Sequence, residues 1–124
     1  MWSNFKFNEP YQGEIITKIN TVVLPDDYIK FMKIHNGGEG DIGESWLQLY
    51  CLEDLYELND MYNVAEFLPN HIIIGSNGGG EFYGINSDGK YFVVPSTFEI
   101  NDITFLCGGM NTFAESVNYF WKNL

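Results

Sequence analysis

Apolar residues fall into runs whose spacing changes along the chain, and that spacing assigns the elements. In E-I-I-T-K-I-N-T-V-V (residues 14–23), Ile15, Ile16, Ile19, Val22 and Val23 share one stripe at helical spacing, which predicts a short amphipathic helix. Leu24-Pro25 breaks it. Pro25 then opens a second helix, with Asp26 and Asp27 in a first turn where the helix dipole favours acids. Tyr28, Phe31, Met32 and His35 recur along that helix, and Asn36-Gly37-Gly38 ends it with residues that accept positive φ. An acidic, glycine-containing loop over 37–45 leads to W-L-Q-L-Y (46–50), where Trp46, Gln48 and Tyr50 alternate with Leu47 and Leu49 as in a strand. Leu55, Leu58 and Tyr62 then predict a helix over 52–63, whose other side carries Glu53, Asp54, Glu57 and Asp60 as a negative ridge.

The second half changes to strand spacing. Ile72–Gly75 reads as a buried strand, and S-N-G-G-G (76–80) follows it. A strand running into glycines raises the question of a phosphate loop, which requires a helix behind the glycines so that its first N–H groups meet the anion. Here E-F-Y-G-I-N follows instead, a β-forming run, and Asp88-Gly89 turns it into the next strand, K-Y-F-V-V. The glycines are therefore predicted to join two antiparallel strands, with no nucleotide. A last short strand is expected at Ile103–Leu106. The chain closes with a helix marked by a T-x-x-E capping box at Thr112 and Glu115 and a stripe of Phe113, Val117, Phe120, Trp121 and Leu124. Residues 1–13 read as an irregular lead-in to one domain spanning 14–124. Helices, mostly antiparallel strands, then a helix predict an α+β domain: an antiparallel sheet with N-terminal and C-terminal helices packed on one face.

Composition narrows the function. The chain has 124 residues, 45% of them hydrophobic, enough for one packed core. No apolar stretch nears the ~20 residues a membrane span needs, and the N-terminus has no apolar signal-peptide region. A cytoplasmic protein is expected. Cys51 and Cys107 are too few for a disulfide framework and read as reduced packing residues. With His35 and His71 they show no metal-ligand spacing, so neither metal nor cofactor is expected. No nucleophile motif surrounds any serine or cysteine, and the two histidines read as structural, at a helix end and a strand start. No enzymatic activity is expected.

Charge is the informative feature. The chain carries 17 acids against six lysines, for a net charge of −11. Between Lys33 and Lys90 there are ten acids and no base (−10), leaving seven acids and six lysines (−1) for the rest. A surface so acidic excludes nucleic acid and anionic membrane as partners and fits a basic protein.

With the elements placed, the chain from about Glu14 to its C-terminus resembles the SUKH superfamily, which includes the yeast cell-wall regulator of the Knr type and many bacterial immunity proteins. The resemblance rests on an ordered set: L-P-D-D-Y-I-K-F-M-K-I-H-N-G-G (24–38), W-L-Q-L-Y (46–50), L-E-D-L-Y-E-L-N-D-M-Y (52–62), F-L-P-N-H-I-I-I-G-S-N-G-G-G-E-F-Y-G-I (67–85) and F-A-E-S-V-N-Y-F (113–120). It implies an α+β domain that acts by protein–protein contact, in bacteria typically by neutralising a polymorphic toxin. Pro25, Asn36, Gly37, Trp46, Gly75, Gly78, Gly79 and Gly80 match its motifs and read as architectural, Trp46 anchoring the core or a groove wall. Joined to the acidic segment, the resemblance points to an immunity protein that blocks a basic, nucleic-acid-targeting toxin. Glu39, Asp41, Glu44, Glu53, Asp54, Glu57 and Asp60 would steer association, and Tyr50, Tyr56 and Tyr62 would anchor it, Tyr62 with a competing place in the core. The alternative is an intracellular regulatory scaffold with a non-toxin protein partner.

Overall fold

The longest run of β-branched and aromatic residues, His71 to Pro95, builds the centre of the sheet, as its packing on both sides requires. A computed structural model describes residues 1–124. In chain order it contains β1 (Phe5–Phe7), β2 (Lys18–Ile19), β3 (Val22–Val23), α1 (Asp26–His35), β4 (Gly38–Ile42) and β5 (Ser45–Leu49). There follow α2 (Leu55–Met61), α3 (Val64–Phe67), β6 (His71–Ser76), β7 (Glu81–Asn86), β8 (Tyr91–Pro95), β9 (Thr104–Phe105) and α4 (Phe113–Lys122). Seven strands form one antiparallel sheet in the order β1-β4-β5-β6-β7-β8-β9, and β2 with β3 makes a separate hairpin. The α+β architecture expected from the sequence is the one observed, and the glycine loop at 77–80 does join two antiparallel strands.

Three stretches differ from expectation. The stripe over 14–23 is not a helix but the β2–β3 hairpin. Most of its residues are β-branched, which disfavours helix, and Asn20 takes the left-handed turn conformation (φ 54). Ile19 and Val22 enter the core while Ile15 and Val23 face solvent. The loop over 37–45 is largely strand β4, and the lead-in over 1–13 contains β1, which pairs with it. Glycine explains why the sequence hid this. A Cβ at Gly40 would come 2.5 Å from the Asn4 carbonyl oxygen, so the weak strand former is what lets β1 approach.

The C-terminal helix also starts differently. Thr112 makes no capping bond, because a 3₁₀ turn over Met110–Thr112 leads into α4 and turns its hydroxyl toward the Gly109 carbonyl, 3.5 Å away. The predicted capping box is therefore absent. The buried stripe of α4 is Phe113, Ala114, Val117 and Asn118, with Leu124 left 81% exposed past the helix end. Cys107 is likewise exposed rather than packed, while Cys51 is half-buried; both are free thiols.

The helices do not all share one sheet face. Phe113 of α4 lies against Tyr83 and Tyr91 at 5.8 Å, whereas Tyr62, just past α2, lies against Phe82 at 5.2 Å. Adjacent residues on a strand point to opposite faces, so α4 and the α2–α3 arm occupy opposite sides. Two carboxamide and carboxylate side chains hold these layers. Asp27 of α1 accepts from the Tyr28 N–H (2.8 Å), the Tyr91 hydroxyl (3.2 Å) and the Met110 N–H (2.7 Å), tying α1 to β8 and to the turn before α4. Asn59 of α2 bonds both the N–H (2.8 Å) and the carbonyl (3.0 Å) of Ile73, where β5 has separated from β6.

Burial pushes the hydroxyls of Tyr28, Tyr50, Tyr83 and Tyr91 above the ordinary phenol value, Tyr83 to about 12. Unfolding releases these phenols to titrate near ~10, so the unfolded chain loses protons first and stability falls as pH rises through that value. We expect full stability below pH ~10 and alkaline unfolding between ~10 and ~12, with the phenolates of these four residues and the loss of ellipticity appearing together. Phenolate formation at these four residues well ahead of unfolding would contradict the burial.

Candidate partner-binding face

Cross-strand register sets one row across the sheet, polar as far as β6. Lys6, Glu39, Gln48, Ser76 and Phe82 stand opposite one another on β1, β4, β5, β6 and β7 in turn. One step along, Asp41 stands directly opposite Trp46. By the period-two alternation of strands, Asp41 and Trp46 share the face of Glu39 and Gln48. This is the face opposite α4, and the α2–α3 arm covers it only over β6 and β7. Over β4 and β5 it is open: Lys6, Glu39, Asp41, Trp46 and Gln48 are all exposed.

Where the open face meets α2 there is a cleft of about 530 Å³. Its floor carries Glu39, Gln48 and Ser76, its helical wall Asp54, Leu58 and Tyr62, and its far rim Gly78, Gly80 and Glu81. Tyr50 also lines it; burial pushes its hydroxyl up, against an opposing contribution from the neighbouring Ser76. The rim is shaped by Asn77, whose Oδ1 accepts from the Gly79 N–H (2.8 Å) and the Glu81 N–H (3.0 Å). Two of the loop amides are thus satisfied within the loop.

The residues singled out from the sequence divide accordingly. Glu39, Asp54, Tyr50 and Tyr62 line the one cleft, and Asp41 lies on the open face beside it. Tyr62 is 39% exposed and forms a wall rather than core. Glu44 lies at the β4–β5 turn, in a second hollow with Trp46 and Lys122. Glu57, Asp60 and Tyr56 are exposed on α2 outside the cleft lining. Glu53 stands apart, since its Oε1 accepts from Asn36 Nδ2 at 2.7 Å. Asn36 in turn caps α1 in the left-handed conformation and accepts the Leu52 N–H (2.9 Å), and its carbonyl accepts from Asn8 Nδ2 (3.1 Å). Glu53 thus joins the junction of N-terminal arm, α1 and α2.

The motif positions are placed as follows. Pro25 sits at the N-cap of α1. Gly37 at φ 83 lets the chain pass the Leu49 carbonyl, and Gly75 passes the Gln48 carbonyl. Gly78 lies against the Trp46 ring, with Gly79 and Gly80 in the same turn, and Trp46 is a groove wall, not core. Sequence reasoning missed Gln48, Ser76 and Glu81 as cleft residues. The alternation of W-L-Q-L-Y gave a signal for Gln48; nothing local gave one for the other two.

Cys51 lines the cleft, and neither histidine does. Burial, then the Glu53 and Asp54 carboxylates, push the Cys51 thiol up, which keeps it from being a ready nucleophile. His35 stacks on Phe7 at 4.0 Å, and His71 Nδ1 bonds the Pro69 carbonyl at 2.8 Å. The family model described as SMI1 / KNR4 family (SUKH-1) matches residues 14–122. The chain belongs to that family. No curated protein matches it closely enough to add a named relative. Membership of SUKH-1 is consistent with an immunity or a regulatory role, and the family is generally non-catalytic. The match begins at residue 14, so β1 of this SUKH-1 chain lies outside the matched span although it completes the edge of the sheet. No helix is long and apolar enough to cross a membrane.

Proposed function

We propose that this SUKH-1 chain is a cytoplasmic immunity protein that binds and neutralises a cognate toxin domain, basic and directed at nucleic acid, by protein contact alone. The observation that carries the reading is the convergence of Glu39, Asp41, Asp54 and Glu81 with Tyr50 and Tyr62 on one uncovered sheet face and its cleft. A toxin that handles nucleic acid presents cationic groups to phosphates. An acidic face attracts the same groups, raises the encounter rate and excludes the substrate. Aromatic side chains in the cleft supply the short-range contact that charge alone does not.

The test is recovery of partners on the tagged chain from its native host at low and at high salt. One basic toxin domain, retained at low salt and released as screening shortens the reach of the charges, is the expected result, and the same chain should protect cells expressing that domain. A neutral or acidic partner, or binding indifferent to salt, would overturn the reading and favour a regulatory scaffold.

A further inference from the structure

Half of one sheet face has no covering layer, and near the β4–β5 turn it carries a tryptophan. Trp46 is 37% exposed on β5, while the neighbouring Leu47 and Leu49 are buried on the other side. Its ring is nevertheless held in place. Gly78, at φ 73 in the β6–β7 turn, lies so close to the ring edge that a Cβ there would stand 3.2 Å from Cε3 and Cζ3. A fixed, half-exposed indole loses little freedom when a partner covers it, which is the property of a binding anchor rather than of a spare surface group.

Its cross-strand partner is Asp41, also exposed. Side chains directly opposite on an antiparallel pair have Cβ atoms about 4.5–5.5 Å apart, so the carboxylate rises from the position next to the tryptophan, on the side of β5 away from Gly78. We propose that Trp46 and Asp41 form an arginine receptor, in which a guanidinium from a basic loop of the partner stacks on the indole and directs its N–H fork to the Asp41 carboxylate. Charge complementarity selects a cationic occupant. Glu39 is on the same strand face and Glu44 at the adjoining turn; the bases near them are Lys6 at the sheet edge and Lys122 at the end of α4, which shares a hollow with Glu44 and Trp46, so acids outnumber bases around the pair. Geometry selects arginine over lysine, because a planar guanidinium can stack and donate in-plane at once, whereas an ammonium is a compact, strongly hydrated point charge. The proposal rests on the acidic-face reading above and adds to it the anchor and the residue type it takes.

The probes are octa-arginine and octalysine, equal in charge, titrated into the full chain at low ionic strength. The wild type should bind octa-arginine about tenfold more tightly, and Trp46→Ala should bring the ratio close to one while leaving octalysine binding nearly unchanged. Asp41→Asn, an exposed substitution, should likewise reduce the arginine preference, and it serves if Trp46→Ala fails to fold. Trp46→Phe should retain part of the preference. Tyr119→Ala, which removes another exposed aromatic near an acid, should retain all of it. No preference in the wild type, or a preference that survives both Trp46→Ala and Asp41→Asn, would overturn the receptor. The double reversal Glu39→Lys with Asp54→Lys separates the two claims. If it weakens neither peptide, the acidic-face reading fails; if it weakens both while Trp46→Ala leaves the ratio intact, only the arginine receptor fails.

Discussion

Replacing Asn59 by alanine is expected to lower the unfolding free energy by about 3 kcal/mol, since it orphans two buried backbone groups at once. Asn59 is 1% exposed, and its carboxamide is the partner of both the N–H and the carbonyl of Ile73. That place in the sheet has no strand to substitute. Pairing of β5 with β6 covers Gln48 to Ser76 and Leu49 to Gly75 and ends with the Tyr50 N–H on the Ile74 carbonyl (2.9 Å). The side chain also donates to the Leu55 carbonyl (2.9 Å), so its removal loosens α2 itself. Urea unfolding followed by far-ultraviolet ellipticity would show the midpoint falling with little change in slope. Asn59→Asp should be nearly as damaging, because it keeps the acceptor for the Ile73 N–H and sets a carboxylate against the Ile73 carbonyl. An alanine variant within ~0.5 kcal/mol of the wild type would show that this edge is not held by Asn59.

The second large effect concerns the partner. Changing Glu39, Asp41, Asp54 and Glu57 to lysine is expected to slow association with a basic toxin domain by on the order of a hundredfold at low salt. The difference should narrow as salt screens the remaining charges. All four are exposed, and three border the open face or its cleft. Glu53 is left out because its bond to Asn36 holds the junction of α1 and α2, where a lysine would disturb folding as well as charge. Stopped-flow mixing would measure the rate, and an unchanged thermal midpoint would confirm an intact fold. An association rate insensitive to these four substitutions would remove electrostatic steering from the mechanism.

Legibility followed the range of the forces. Helix α1 was readable because its signals are local: Pro25, two acids in the first turn and the left-handed Asn36 at its end. Strands β5 to β8 were readable from alternation, apolar runs and the turn at Asp88-Gly89. The 14–23 stripe failed because Ile19 and Val22, three apart as on a helix face, are instead cross-strand partners around the turn at Asn20, and both are buried against the rest of the fold. Strand β4 failed because a glycine-rich, acidic strand carries little apolar signature, and β1 because its three residues, Phe5–Phe7, are too few to show a period; what makes them strands is the pairing of β1 with β4 and of β4 with β5.

The candidate site divides the same way. The ordered motifs by themselves carried the family resemblance, and composition the concentration of charge between residues 34 and 89; neither needs coordinates. The tertiary structure alone decided that Glu39, Asp54 and Tyr62 share a cleft, that Glu53 holds a junction, and that Trp46 faces solvent opposite Asp41. The reason is register. Cross-strand neighbours come from segments brought together by pairing, and a shift of one residue in that pairing would place Trp46 and Asp41 on the face beneath α4.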